Sequence, residues 1–324
     1  MLFEPIQFKE NSKFARILSF AMLACWAVNL GREVFHIAMP ISSQWVMHVD
    51  DVWFNQVIHA LRSQFLSEDP LSVFLSLKPM TAYGSIYWLM ETAFSMPFHH
   101  FSSHQYVWAA PYVFSWLFYI GGCVVCCLIF FKYFKIEAFA LVATGLLVLA
   151  PGLGSFAIRI HNHSLMFFLA ALTFYCLYIM RDWTRKGTMG LTMLVSLGIG
   201  IKISFVLLLP GLLGMILARG SNNWWRSLTI LVACGVVTAF LAGFFMSPSL
   251  FGIFQSPDLF RRNVHEYLEA IHTATIAWGK PNLRMNYDTL VTSYYNPYIW
   301  VLCILGFLIA IAKTKIKADR FLYL

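Results

Sequence analysis

Long apolar segments are the feature that most constrains this chain. They cover about residues 14–31, 108–131, 138–157, 164–180, 188–201, 203–218, 226–246 and 297–313. A helix needs roughly 20 apolar residues to cross a bilayer. Of the 324 residues, 59% are hydrophobic and 12% are charged, whereas a soluble domain exposes far more charge. The sequence therefore predicts an all-α polytopic membrane protein with about eight transmembrane helices in a single domain, residues 1–324.

Lysine and arginine residues flank these segments asymmetrically. Lys13 precedes the first segment, Lys132 follows the second and Arg181 follows the fourth. Because cytoplasmic loops are enriched in such residues, the pattern predicts cytoplasmic termini and two external loops, about residues 32–107 and 247–296. The net charge of +8 follows from this topology and does not indicate a nucleic-acid partner.

Two interfacial helices are predicted in the first external loop. After Asp51, apolar residues recur at helical spacing, which suits a helix lying in the membrane plane. A second helix over 83–98 is apolar enough to span the membrane. A span there would place Lys132 outside, so an interfacial or re-entrant helix is predicted instead. The apolar positions of the first helix are Phe54, Val57, Ile58, Leu61 and Phe65.

Two adjacent carboxylates, Asp50 and Asp51, lie early in this external loop. Either of them could simply cap a helix that begins near Val52. The alternative is that one is a general base or a metal ligand and the other orients it. Adjacent residues on a helix point roughly 100° apart, so only one of them is expected to be the base. Asp51 is the preferred candidate.

Cations and histidines on the predicted external side complete the candidate site. The cations are suited to an anionic lipid headgroup, although an interfacial lysine also commonly extends its ammonium to water. The histidines are candidates for contacts with an acceptor or a metal ion. No cofactor is required by the sequence, and a divalent metal is an alternative. The residues are Lys78, Arg159 and Lys202 for the cations, and His48, His161 and His163 for the histidines.

The order of these features resembles the GT-C superfamily of membrane glycosyltransferases, most closely its aminoarabinose and protein O-mannosyl transferase branch. In that family an acidic motif opens the first external loop, and a Lys-Pro pair precedes an aromatic helix. An arginine-containing turn leads into the fourth span, and a glycine-rich helix ends in lysine. The corresponding residues are Asp50-Asp51, Lys78-Pro79 with Tyr87-Trp88-Leu89, Arg159 to Ser164, and Gly198 to Lys202 followed by Leu208-Leu209-Pro210-Gly211.

The resemblance implies a GT-C-like helical module that transfers a sugar, with inversion, from a polyprenyl-phosphate donor. The acceptor would be a glycan, a lipid or a protein on the outer face of the bilayer. The implied roles are base for Asp51 or Asp50, lipid-phosphate binding for Lys78, Arg159 and Lys202, and a lipid groove for Tyr83, Tyr87 and Trp88.

The expected location is a bacterial inner or plasma membrane rather than the endoplasmic reticulum. The expected role is in glycosylation at the cell envelope. The family often has an aspartate in the turn before the fourth span, where this chain has Asn162, His163 and Ser164. The chain ends where relatives begin another span, so it is either a short member or a truncated product. Alternatives from other classes are a lipid or solute transporter and a non-catalytic membrane subunit.

Overall fold

The computed structural model describes residues 12–38, 49–77, 84–101, 104–134, 137–149, 159–160, 162–179, 185–209 and 224–249, with parts of 257–269. In this described part all regular structure is helical, which confirms the predicted all-α class. The helices are α1 (Ser12–Ala38), α2 (Val49–Ser67), α3 (Pro70–Ser76), α4 (Ser85–Phe101), α5 (His104–Tyr133), α6 (Glu137–Leu149), α7 (His163–Ile179), α8 (Arg185–Ile201), a 3₁₀ helix (Ile203–Leu208) and α9 (Trp224–Met246).

Helices α1, α5, α6, α7, α8 and α9 coincide with predicted apolar segments. Stretches of α1 and α5, Lys13–Phe35 and Ala109–Lys132, are long and apolar enough to cross a membrane. The described helices therefore fit a membrane protein, but they do not confirm the number of eight spans. Residues 210–218 of the predicted segment 203–218 lie outside the described residues, as does the whole predicted segment 297–313. Shorter apolar helices cover Phe139–Val148, His163–Tyr178, Gly187–Ile201 and Val232–Met246.

Helix α2 has the predicted amphipathic face. Phe54, Ile58 and Leu61 are buried, whereas Gln56 and Gln64 are exposed. The buried face packs against α4. This confirms the predicted amphipathic helix, but protein covers these apolar residues, whereas the prediction placed them against the membrane interface.

Helix α3 has no counterpart in the sequence-based prediction. The carboxylate of Asp69 accepts hydrogen bonds from the backbone nitrogen and the hydroxyl of Ser72, each at 2.9 Å. Pro70 occupies the first turn, where its missing N–H has no consequence. These hydrogen bonds stabilise the charged form and lower the pKa of the Asp69 carboxyl. An Asp-Pro pair before an apolar stretch is thus the signal that predicts this short helix.

Helix α4 is more enclosed than the predicted interfacial helix. It packs against α2, α5, α8 and α9. Tyr87, Trp88 and Glu91 are completely or almost completely buried. A helix resting on a membrane surface would leave a continuous polar face in water, but the buried face of α4 itself carries polar residues. Tertiary packing therefore makes α4 part of the protein core.

Helix α5 forms the centre of the described packing, with contacts to α1, α4, α6 and α7. Its pairing with α7 depends on Gly122, because a Cβ atom there would lie 2.5 Å from the ring of Phe167. The rings of Tyr119 and Phe167 are consequently 5.5 Å apart. Small residues allow such close approach between apolar helices.

The start of α4 meets the end of α8 at two glycines, Gly84 and Gly200, here called the glycine junction. The Gly84 nitrogen donates to the carbonyl oxygen of Ile201 at 2.9 Å. A Cβ atom at Gly84 would overlap the Gly200 carbonyl oxygen, and one at Gly200 would overlap the Cβ of Phe245 in α9. The junction thus fixes α4, α8 and α9 relative to one another.

The Gly200→Ala variant is expected to unfold with a free energy lower by about 1–3 kcal/mol, because α9 must move away from α8. In the same helix, a Cβ atom at Gly190 would meet nothing within 4 Å. The matched control Gly190→Ala is therefore expected to raise helix stability by up to about 1 kcal/mol. Thermal unfolding in one detergent, followed by tryptophan fluorescence, measures both changes. Equal melting temperatures for the two variants would contradict this packing.

Candidate functional site

The candidate site lies where the start of α4, the end of α8 and the turn before α7 meet. Gly84 is hydrogen bonded to Ile201, and the next residue, Lys202, reaches across to α7. The Lys202 Nζ atom lies 3.5 Å from Nε2 of His163, the first residue of α7. The structure therefore brings together two predicted site residues, Lys202 and His163, that are far apart in the sequence.

Lys202 lies just beyond the last residue of α8, between α8 and the 3₁₀ helix. Its backbone is extended, with φ −155° and ψ 128°, so the chain leaves the α-helix here. The Lys202 nitrogen donates to the Gly198 carbonyl at 3.1 Å, and its carbonyl accepts from the Phe205 nitrogen at 3.0 Å. The side chain is partly buried, and this burial lowers the pKa of its ammonium, because desolvation disfavours the charged form.

His163 contacts a cation rather than a group of metal ligands. An ammonium only donates hydrogen bonds, so a charged Lys202 requires Nε2 of His163 to be the acceptor in this contact. A lone pair used in this way is not available to a metal ion. In the part of the chain that the structure describes, no group of three or more histidines, cysteines and acids could hold a metal. His48 and His161 lie outside the described residues.

The turn before α7 separates an exposed cation from buried neighbours. Arg159 is exposed, whereas Ile160 and Asn162 are completely buried. The Asn162 carbonyl accepts the first hydrogen bond of α7, from the Met166 nitrogen at 2.9 Å. Ile160 and Asn162 thus anchor the turn in the protein, and Arg159 faces outward beside it.

The paired aspartates lie in the first turn of α2. That helix begins at Val49, before the predicted start near Val52, so neither aspartate precedes it as a cap. A negative charge in a first helical turn is favoured by the helix dipole. One turn further, the Phe54 ring lies 4.9 Å from that of Trp88 in α4. Phe54 therefore holds the beginning of α2 beside the first turns of α4, the same end at which Gly84 binds Ile201.

Other predicted site residues lie outside the described part of the chain. Lys78 follows Leu77, whose carbonyl accepts a hydrogen bond from the Ser249 nitrogen at 3.3 Å. Tyr83 precedes Gly84 at the glycine junction. The described residues on either side of these positions are both hydrogen bonded, Leu77 to Ser249 and Gly84 to Ile201.

Glu91 is a buried acid that the sequence-based prediction missed. It is completely buried, and its Oε1 atom accepts a hydrogen bond from the Tyr87 hydroxyl at 2.8 Å. Both residues lie on the same face of α4, one turn apart. Glu91 is the only acid between Asp69 and Glu137. A single acid within so apolar a stretch is expensive to bury without a partner, and that is the signal that could have identified it.

The predicted lipid contact of Tyr87 and Trp88 stays a prediction. Both rings are buried against Phe54, with ring-centroid distances of 6.1 and 4.9 Å. An open apolar groove of about 510 Å³ begins one turn further along α4. It lies between α4, α5 and α7, and its lining residues are Met90, Ala93, Phe94, Phe114, Leu117, Phe118 and Phe168.

Comparison with known families gives one match. The model of the ALG3 protein family matches residues 84–269, more than half of the 324 residues. This region begins at the glycine junction and contains Arg159, His163 and Lys202, whereas Asp50 and Lys78 lie before it. Neither a curated protein nor a solved structure gives a significant match.

Replacing Tyr87 with Phe removes the hydroxyl that donates to Glu91. Tyr87→Phe is expected to lower the free energy of unfolding by about 1–3 kcal/mol, because the donor to a buried acid is lost. The control is Tyr178→Phe, since Tyr178 donates to the Lys132 carbonyl at 2.9 Å in a more exposed setting. Its expected loss is about 1 kcal/mol or less. A larger loss for the control in thermal unfolding would contradict the importance of the buried pair.

Proposed function

The chain belongs to the ALG3 protein family, whose members are membrane glycosyltransferases with a lipid-linked sugar donor, and on that premise we propose a specific reaction. The proposed donor is dolichyl-phosphate mannose, because the family is one of dolichyl-phosphate-mannose-dependent, GT-C-like mannosyltransferases. The mannosyl group goes to a hydroxyl of an acceptor on the lumenal face of the membrane. Family membership is the single observation that carries this proposal.

The family changes two sequence-based expectations. ALG3 is a protein of the endoplasmic reticulum, so we place this chain in that membrane. The bacterial plasma membrane and the cell envelope receive no support. The aminoarabinose and protein O-mannosyl branch is likewise not specifically supported, while the broader assignment to membrane glycosyltransferases is confirmed.

The proposed chemistry is a single displacement with inversion. The acceptor oxygen attacks the anomeric carbon while the bond from that carbon to the phosphate oxygen breaks. Asp51, or its neighbour Asp50, takes the proton of the attacking hydroxyl. The departing dolichyl phosphate already carries its negative charge well, so no strong general acid is needed, and cations stabilise it as it leaves.

Lys202, Arg159 and Lys78 are the proposed phosphate-binding cations. The positions of α2 and α8 support this assignment, since both the turn of Asp51 and the residue Lys202 lie at the first turns of α4. Arg159 is exposed beside α7, the helix whose first residue contacts Lys202. A base and cations gathered at one end of a helix are what a displacement at a lipid phosphate requires.

The lipid chain is proposed to run along α4. Tyr83 would face it near the phosphate, and the buried rings of Tyr87 and Trp88 would support this path from the protein core. The apolar groove that begins at Met90 supports a continuation of this path, because an isoprenoid chain requires an uninterrupted apolar surface.

The Asp51→Asn variant is expected to lower kcat by about 10²–10⁴-fold, because the general base is lost. Asp50→Asn is expected to have a smaller effect. The measurement is loss of radiolabel from a panel of polyprenyl-phosphate sugars, with purified protein in detergent. Asp69→Asn is the matched control, since Asp69 caps α3 and asparagine caps equally well. It is expected to retain activity.

Three outcomes distinguish the possibilities. Full activity of both Asp50→Asn and Asp51→Asn would show that neither is the base. Release of label from another sugar, but not from dolichyl-phosphate mannose, would replace the proposed donor. Binding of dolichyl phosphate without turnover of any donor would identify a non-catalytic relative.

A further inference from the structure

Two basic side chains, Lys202 and His163, meet at 3.5 Å between Nζ and Nε2. We propose that His163 is a positioning residue, which holds the Lys202 ammonium where it binds the phosphate of the lipid-linked donor. This inference rests on the proposed function and assigns to His163 a role other than contact with metal or acceptor.

The backbone of Lys202 is fixed by hydrogen bonds, but the position of its Nζ atom requires a further restraint. Hydrogen bonds to Gly198 and from Phe205 hold the main chain on both sides of Lys202. The ammonium lies at the end of a flexible four-carbon stem. The imidazole of His163, whose Nε2 atom lies 3.5 Å from Nζ, supplies such a restraint.

The imidazole is itself held by a rigid turn. His163 is the first residue of α7, and its neighbours Asn162 and Ser164 are completely buried. The carbonyl of Asn162 closes the first turn of that helix. The imidazole of such an anchored residue can restrain the position of the Lys202 ammonium.

The protonation states follow from the chemistry of the two groups. Lysine has three N–H donors and no acceptor, whereas a neutral imidazole has one of each. With Lys202 as the ammonium, Nε2 of His163 accepts one of its hydrogens and the imidazole proton is on Nδ1. In the proposed complex, anionic oxygens of the donor phosphate accept from the same ammonium.

The contact also distinguishes this arrangement from a lysine that only reaches towards water. A solvated lysine would extend its stem away from the protein. Lys202 is partly buried, and its Nζ lies against a side chain of another helix. The charged atom is thus retained in the protein.

The test compares variants of His163 that do or do not keep an acceptor at the position of Nε2. His163→Gln retains an amide oxygen there, His163→Asn is too short, and His163→Met fills the space without an acceptor. We expect the Asn and Met variants to raise the KM for dolichyl-phosphate mannose about tenfold, which corresponds to about 1.4 kcal/mol. The Gln variant is expected to stay within about twofold of the original KM, a difference of only about 0.4 kcal/mol.

A double-mutant cycle separates positioning from a general structural effect. Lys202→Gln is expected to raise the KM for the donor, and adding His163→Met to it is expected to have no further effect. The control is His265→Met, since His265 is exposed and its Nδ1 atom lies 3.7 Å from the carboxylate of Glu269, far along the sequence from Lys202. That control is expected to leave KM and kcat unchanged.

The outcomes separate the two proposals. Equal KM values for the Gln, Asn and Met variants, or additive effects of Lys202→Gln and His163→Met, would overturn the role of His163 alone. If the Met variant does not fold, the comparison of His163→Gln with His163→Asn still tests the proposal, because both side chains are polar amides and differ in length. Absence of transfer by the original protein would overturn the proposed function, and the role of His163 with it.

Discussion

The hydrogen bond from Gly84 to Ile201 is the constraint on which the rest of the described structure depends. It brings the first turn of α4 against the last turn of α8, at a separation that only glycine permits at positions 84 and 200. Lys202 follows directly and is thereby presented beside α4 and α7. Because α9 also packs on Gly200, three helices share one point of contact, and the candidate site lies at its edge.

Two polar contacts in this apolar protein offset part of the cost of burying their groups. The Tyr87 hydroxyl donates to Glu91 inside the core, and the Lys202 ammonium meets His163 at the ends of two helices. Burial of an uncompensated polar group costs several kcal/mol.

The sequence predicted much of the fold through periodicity and hydropathy. The buried side of α2 has the predicted residues Phe54, Ile58 and Leu61, and α8 ends at Ile201, where the predicted apolar segment 188–201 ends. Helix α3 was missed because its signal is a local cap at Asp69 rather than a periodic pattern. For α4 the spacing left open an interfacial or a re-entrant helix. The enclosure of α4 depends on the helices that pack against it, which local spacing does not reveal.

The sequence by itself determined the helical class and the apolar segments that the described helices follow. Those properties follow from composition and spacing, which act locally along the chain. Tertiary structure alone decided that Lys202 contacts His163, that Tyr87 donates to Glu91 and that the start of α2 lies beside α4. Each of these contacts depends on how closely two backbones approach, and at the glycine junction that distance is set by the absence of a side chain.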